Sequence, residues 1–341
     1  MGGVHLLRTE KGEEEHMAVR LFNEADWKKV SEENKELYDD FRLEMESQGK
    51  SPKTIQQYSF DLRAFFCYLV REKNGKYILD LKRRDFRNFF LKLQRAGTSA
   101  ARINRFESSV RNMLEYACVS DEYSYQNNEM AHIKGLQKEP VREIVFLTDK
   151  QVNILIDELL KRKHFQKALW VSLAYDSAAR RAELHQVRKE GFLDNNQTNV
   201  VVGKRSKKFR LIYFNRTKIL FGLWMRQRGE DDIPSLWVTG KGKNKRPMSY
   251  TTMYNFVDEF REILKKRTGE DIPVNEHSFR HSAATNYENG THFVLRGIGK
   301  DKLDIRLLQT LMHHSDVGTT QNYLKDDSEE RLANALGIEL N

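Results

Sequence analysis

Arg180 in YDSAARRAEL, Lys204 in VVGKRSKKFR, His277 and Arg280 in HSFRH, His314 in LMHHSD and Tyr323 in TTQNY combine one hydroxyl with five phosphate-directed groups. That mixture suits transesterification at a phosphodiester. Such a reaction needs an oxygen nucleophile, positive charge on the non-bridging oxygens and a proton for the departing 5′ oxygen. Two arginines grip a phosphate in a fork geometry that lysine cannot reproduce. A lysine on a flexible hairpin reaches a leaving oxygen as general acid. His277, three residues before Arg280, shares its helix face and converges on the same phosphate. A tyrosine, with a pKa of ~10, is a poor nucleophile until cations and a base assist it. The other five groups supply that assistance, and no cofactor is called for.

Other chemistries fit less well. Gly240-Lys241-Gly242-Lys243 and Gly297-Ile298-Gly299-Lys300 are glycine-rich and basic but lack the spacing of a nucleotide phosphate loop. His277, His281, His313 and His314 have no HExxH arrangement and no CxxC pair beside them, so no metal is expected. Cys67 and Cys118 fall inside apolar helical patterns and read as buried free thiols in a reduced compartment.

The elements that must position these groups fall into two modules. From Ser31 to about 133 the period is helical. Leu62, Phe65, Phe66 and Leu69 form one apolar face, Phe86, Phe89, Phe90 and Leu93 a second, and Val110, Leu114 and Ala117 a third. Asp80 and Asp85 mark helix starts and Gly97 a helix end. Residues 134–147, with Gly135 and Pro140, break the pattern and read as a linker. Thr148, with Gln151 three residues on, is a capping box that opens the second module, 148–324. There, Asn199–Val202 and Phe209–Phe214 read as strands flanking a basic hairpin that contains Lys204 and Lys207. Trp237-Val238 reads as a further short strand before a basic turn containing Lys243. The fold class is therefore mainly α with a small β-sheet. Residues 1–30 read as an extension. Within it, Lys11-Gly12-Glu13 can be encoded by a purine-rich ribosome-binding sequence, which makes Met17 a candidate start.

Charge supports a polyanionic partner. The chain carries a net +9, but residues 1–50 hold 8 basic against 13 acidic side chains, and residues 51–111 hold 14 against 5. A basic block inside a folded, aromatic-rich module can neutralise phosphates and release their counterions. Lys53, Arg83, Arg84, Arg87, Arg102, Arg105 and Arg111 in the first module, with Lys207 and Lys243 in the second, are the candidate backbone contacts to double-stranded DNA. No apolar run is long enough to cross a membrane, and the first residues lack a signal-peptide pattern, so a cytoplasmic protein is expected.

In these boxes the chain resembles the tyrosine recombinases of the phage integrase family. Tyr175–Leu184 is similar to the family's first arginine box, with Glu183 as the helix partner of Arg180, and Lys204 falls 24 residues on, at the start of a hairpin. HSFRH (277–281) resembles the HxxRH box, and His314-Ser315, Thr319-Thr320 and Tyr323 resemble the last one. The stretches 49–69 and 97–117 are similar to the helical core-binding domain. The resemblance implies a SAM-like helical domain and an α+β catalytic domain forming a C-shaped clamp on DNA. It implies attack by Tyr323, giving a 3′-phosphotyrosine. Arg180, Arg280 and His314 would stabilise the phosphorane, Lys204 would protonate the 5′ oxygen, and His277 would assist proton transfer. It also implies dimers or tetramers on DNA, joined through the tail 325–341. There Leu332, Leu336 and Ile338 form an apolar stripe after Asp326, Asp327, Glu329 and Glu330.

Three features depart from the family pattern. Arg280 and His314 stand 34 residues apart, more than the family usually allows, and the surplus falls at Asn289–Asp301. His313 replaces the usual small residue, and Ala178-Ala179 replaces the usual Gly-Leu. Two readings follow: a recombinase of a phage or mobile element, favoured by the unbroken set of six, and a transcriptional repressor that occupies operators with the same fold, favoured by the departures. A relaxing topoisomerase of similar chemistry fits the core-binding half and the tail less well.

Overall fold

The structure, a computed structural model, describes residues 21–137, 144–192, 195–313, 317–321 and 323. His314 and the proposed assembly tail lie outside the described residues, as do most of the expected N-terminal extension and 138–143 of the expected linker. Contacts divide the chain into two units, Met1–Arg142 and Glu143–Asn341.

Unit 1 is all helical: α1 (Glu24–Lys28), α2 (Glu32–Ser47), α3 (Pro52–Glu72), α4 (Arg83–Arg95) and α5 (Ala100–Val119). Local chemistry sets the ends. Ser51 caps α3 by accepting from the Thr54 amide, with Pro52 in the first turn, and Ser99 caps α5. Gly97, at φ +75°, follows the last turn of α4. The three apolar faces read from the sequence meet, and all eleven of their residues are buried. Phe89 is central, with Phe65 and Phe106 at ring-centroid distances of 4.8 and 5.2 Å. Each such ring contributes about 2–3 kcal/mol of burial.

The packed chain begins earlier than Ser31. Trp27 of α1 meets the Tyr38 ring edge-on at 5.3 Å, and the Arg63 guanidinium covers both Phe22 and Trp27. A five-residue helix has too few turns to show a period, which is why the sequence pattern missed it. Cys67 is buried as expected, but Cys118 keeps partial exposure on the rim of α5.

Unit 2 runs α6 (Asp149–Lys161), α7 (Phe165–Ser177), α8 (Arg181–His185), β1 (Gln197–Val202), β2 (Lys208–Ile212) and α9 (Asn215–Arg228). It continues with β3 (Val238–Thr239), β4 (Arg246–Pro247), α10 (Tyr250–Tyr254), α11 (Phe256–Thr268) and α12 (Glu276–Glu288). The short helices α13 (Phe293–Gly297), α14 (Ile305–Leu311) and α15 (Val317–Gln321) complete it. Thr148 and Gln151 form the expected capping box at α6. The strands make two separate antiparallel hairpins, β1–β2 and β3–β4, the first with Val201 opposite Phe209 and Val202 opposite Lys208. Helix α7 is buried on every side from Ala168 to Ser177 and packs against α6, α9 and α12, so it is the axis of the unit.

The end of that axis is held by polar groups. Tyr287 donates to the Asp176 carbonyl (2.8 Å), and the Arg280 guanidinium donates to the Ala178 carbonyl. These bonds satisfy carbonyls that a helix terminus leaves without intrahelical partners. Asp176 itself accepts from the Phe214 amide (3.0 Å) and the Thr217 hydroxyl (2.6 Å), tying the end of α7 to the start of α9. The chain then turns through Ala178 at φ +49° and delivers Arg180 to the N-cap of α8.

Candidate active site

Arg180 enters the site from this corner. Glu183, 2% exposed, accepts from the Arg180 amide (2.7 Å) and from its Nη1 (3.0 Å), which fixes both backbone and side chain. Arg280, on the second turn of α12, is 1% exposed. Besides the Ala178 carbonyl, its Nη2 donates to the Met312 carbonyl at 2.9 Å. One guanidinium thus joins the end of α7 to the turn after α14, the residue pair just before His314. Burial, then the nearby Arg180 cation, lowers the Arg280 pKa to about 10, while Tyr323 and Glu183 oppose the shift. Arginine remains charged at neutral pH under that shift, and desolvation strengthens its attraction for an anion.

Tyr323 lies half-buried against this arginine. The Arg280 Cζ stands 4.9 Å from the Tyr323 ring centroid, and the two side chains are hydrogen-bonded. On another side the Tyr323 ring stacks on His281 at 4.5 Å and 24°. His281 Nδ1 lies 3.2 Å from the Tyr323 carbonyl, so that nitrogen carries the hydrogen. Burial drives the His281 pKa down to about 4, with the adjacent His277 and Arg280 adding to the effect, so the ring is neutral. The sequence singled out His281 as part of its box and as a metal ligand set aside for want of partners. Its packing role was hidden because residues adjacent in a helix face different directions.

His277 sits exposed in the first turn of α12, its amide capped by Asn275 (2.9 Å). Desolvation by the surrounding protein lowers its pKa, Glu276 resists, and Arg280, Arg180 and Arg181 lower it further. Lys204 is exposed in the single 3-10 turn, Lys204–Ser206, that links β1 to β2. The base of that turn is pressed onto the arginine clamp. A Cβ added at Gly203 would meet Phe209 at 2.6 Å and the Glu183 carboxylate at 3.2 Å. The structure therefore draws Arg180, Arg280, His277 and Tyr323 into one electrostatic neighbourhood, with the Lys204 turn seated against its Glu183 wall.

The departures in the boxes have a common geometry. Ala178 (φ +49°) and His313 (φ +54°) both occupy the left-handed region, where glycine is the unstrained choice. The surplus at 289–301 is folded into unit 2. His292, 1% exposed, is sandwiched between Tyr175 (4.1 Å) and Tyr287 (3.8 Å), and Val294 and Leu295 of α13 are buried. The Phe293 amide bonds to Asp149 (3.1 Å), and the Arg216 guanidinium lies 3.6 Å from the Phe293 ring centroid. The Leu303 amide then returns to the Tyr287 carbonyl at 2.9 Å. The extra residues leave α12 and come back to its last turn.

The candidate DNA contacts divide in three. Lys53, Arg83, Arg84, Arg87, Lys207 and Lys243 are exposed. Arg102 and Arg105 are anchored on the buried Asp61, Arg102 by a short hydrogen bond and Arg105 with its Nε at 3.5 Å. Arg111 is occupied by the backbone, donating to the carbonyls of Met130 (3.2 Å) and Ile133 (2.9 Å). That last role serves the fold of unit 1.

Comparison with known proteins agrees with this architecture. The model of the phage integrase family matches residues 145–330, and that of the phage integrase N-terminal SAM-like domain matches residues 39–119. The SPbeta prophage-derived recombinase-like protein YomM of Bacillus subtilis is 28% identical over 335 residues, covering 92% of this chain and 95% of its own length. The tyrosine recombinase XerA of Pyrococcus furiosus is also 28% identical, covering 85% and 89%. Among solved structures, a lambda integrase dimer bound to a COC′ core site superposes with a TM-score of 0.63 at 15% identity, over 86% of this chain and 95% of that one. The Tn1549 transposon integrase in complex with transposon right end DNA gives 0.63 at 17%, over 88% and 98%. The residues boxed around Arg180, Arg280 and Tyr323 thus stand on a mainly helical, two-domain fold shared with integrases, and the chain belongs to the phage integrase family.

Proposed function

We propose that the protein is a site-specific tyrosine recombinase that cuts and rejoins double-stranded DNA for the integration or excision of a phage or mobile element. One observation carries this reading: Tyr323 lies hydrogen-bonded to a buried Arg280 that is itself fixed by two backbone carbonyls. Preorganised charge of this kind stabilises a transition state without reorganising during the reaction. The Tyr323 oxygen attacks the scissile phosphorus and the bond from phosphorus to the 5′ oxygen breaks, leaving a 3′-phosphotyrosine. Arg180 and Arg280 hold the non-bridging oxygens, and His314 joins them by the family pattern. Lys204 gives its proton to the departing 5′ oxygen, and His277 assists proton transfer. Rejoining reverses these steps with a new 5′ hydroxyl.

Lys53, Arg83, Arg84 and Arg87 in unit 1, the anchored Arg102 and Arg105, and Lys207 and Lys243 in unit 2 contact the DNA backbone. The solved relatives bound as a dimer at a core site and as a tetramer at a Holliday junction support assembly of this chain on DNA in the same way. Among the described residues no helix is long and apolar enough to cross a membrane, in keeping with action on DNA in the cytoplasm.

The test is covalent trapping. Sites selected by the full chain from a random-sequence duplex library are rebuilt as nicked duplexes, so that the cleaved fragment diffuses away. The wild-type protein should form a phosphatase-resistant adduct that Tyr323→Phe abolishes. Tight, site-specific binding by both proteins with no adduct would overturn the reading in favour of operator binding.

A further inference from the structure

The least expected residue of the last box is His313. Its backbone sits at φ +54°, and its ring lies face to face with Phe209 of β2, at 3.6 Å between centroids and 22° between planes. Phe209 also fills the space over Gly203, the residue before Lys204, and Gly203 abuts the Glu183 carboxylate that holds Arg180. The residue before His313, Met312, is pinned through its carbonyl by Arg280. A single aromatic stack therefore joins the turn before His314 to the base of the Lys204 hairpin, while Arg280 fixes the same turn from the other side.

We propose that His313 is a positioning residue whose stack on Phe209 sets the Lys204 hairpin over the scissile phosphate. A glycine here would relieve the left-handed backbone but leave the hairpin base without its lid. The stack also suits a neutral ring. Burial, then Lys207, Arg280 and Arg180, holds the His313 pKa at about 4, so no extra cation crowds the phosphate pocket near neutral pH. The proposal rests on the recombinase reading, with Lys204 as the general acid.

His313→Gly is a suitable variant because glycine accepts the observed φ, so folding is not put at risk. On nicked duplexes carrying the selected site, adduct formation should slow by roughly tenfold to a hundredfold, the scale expected of an ångström-sized misplacement. A duplex in which sulfur replaces the bridging 5′ oxygen should restore the rate to within about threefold of wild type, because a thiolate leaves without a proton. Phe209→Leu should behave likewise, and His313→Phe should recover the rate on ordinary DNA by restoring the stack. In the protein alone, His313→Gly should hasten tryptic cleavage after Lys204, Lys207 and Lys208. An unchanged adduct rate, a loss of equal size on both duplexes, or unchanged hairpin proteolysis would each overturn the inference. If wild-type protein forms no adduct on either duplex, the recombinase reading falls, while the proteolysis still decides whether the stack holds the hairpin.

Discussion

Each unit buries an aspartate completely, and the two are used in opposite ways. Asp61 of α3 accepts from Ser109 (3.0 Å) and anchors Arg102 and Arg105, whose side chains remain 22% and 41% exposed. Burial raises its pKa, and Arg105 pulls the other way. Asp176 of α7 instead faces the interior, where a hydroxyl and a backbone amide reach one oxygen and no hydrogen bond reaches the other among the described residues. Burial lifts its pKa to about 6, against Thr217 and the neighbouring Arg216. The first carboxylate fans arginines toward the surface and the second braces the corner that presents Arg180. A surface that tracks a flexible polyanion needs charge in roughly the right place, whereas a reacting phosphate needs groups fixed to fractions of an ångström.

The sharpest way to break that contrast is Arg280→Lys. An ammonium cannot hold both the Ala178 and Met312 carbonyls while serving an anion, so adduct formation should fall by roughly a hundredfold to a thousandfold, with helical content unchanged by circular dichroism. A loss of less than tenfold would show that the fixed guanidinium is dispensable. Next comes Asp61→Asn, which leaves two arginines on a neutral anchor. Salt-sensitive DNA affinity should fall as the two side chains lose their fixed directions, while denaturant unfolding of unit 1 should show no loss of stability, because the raised Asp61 pKa means that its ionised form opposes folding.

Asp176→Asn tests the other carboxylate through pH. Its pKa is raised on folding from 3.8 to about 6, so the ionised form opposes folding increasingly as pH rises through that window. The stability of the variant relative to wild type should therefore grow from pH 4 to pH 6 by about 2 kcal/mol and then level off. The partly buried His281 and the buried His292 have the opposite sign, because they fold neutral with values of about 4 and 3 and lose stability as pH falls below 6.5. Taking the difference between variant and wild type removes their contribution. Arg84→Ala should have the smallest effect. The slope of log affinity against log salt should fall by about 1 and stability should stay within about 0.5 kcal/mol. A change in unfolding would mean that exposed Arg84 serves the fold.

Much of this was legible in the sequence because helices and hairpins write their periods locally. The aromatic faces of α3 and α4, the Thr148 cap and the β1–β2 hairpin could be read directly. What escaped depended on distant partners. Arg111 looks like any other arginine of the basic block until Met130 and Ile133 return to it. Ala178 and His313 look like losses of glycine, and only the backbone shows that both keep the left-handed turn glycine usually makes, at a strain of roughly 1–2 kcal/mol each. Helix α13 has five residues, too few for a period, so the sequence marks the surplus before the last box by its length alone. Of the six boxed residues, His314 alone lies outside the described chain.

That surplus has a consequence for how the family can change. Its neck is closed at both ends: the Leu303 amide returns to Tyr287, and the glycine at 290, with φ +75°, lies so close to the Asp301 carbonyl that a side chain there would collide with it. Between those points, residues 296–302 are all exposed. Length added or removed beyond the neck does not propagate into the catalytic frame, because loop closure costs little more for a longer excursion. The exposed residues 296–300 can thus vary in length or carry an inserted peptide while α12 and α14 keep their places, whereas His292, Val294 and Leu295 stay fixed in the core. Evolution can experiment there without touching the reaction.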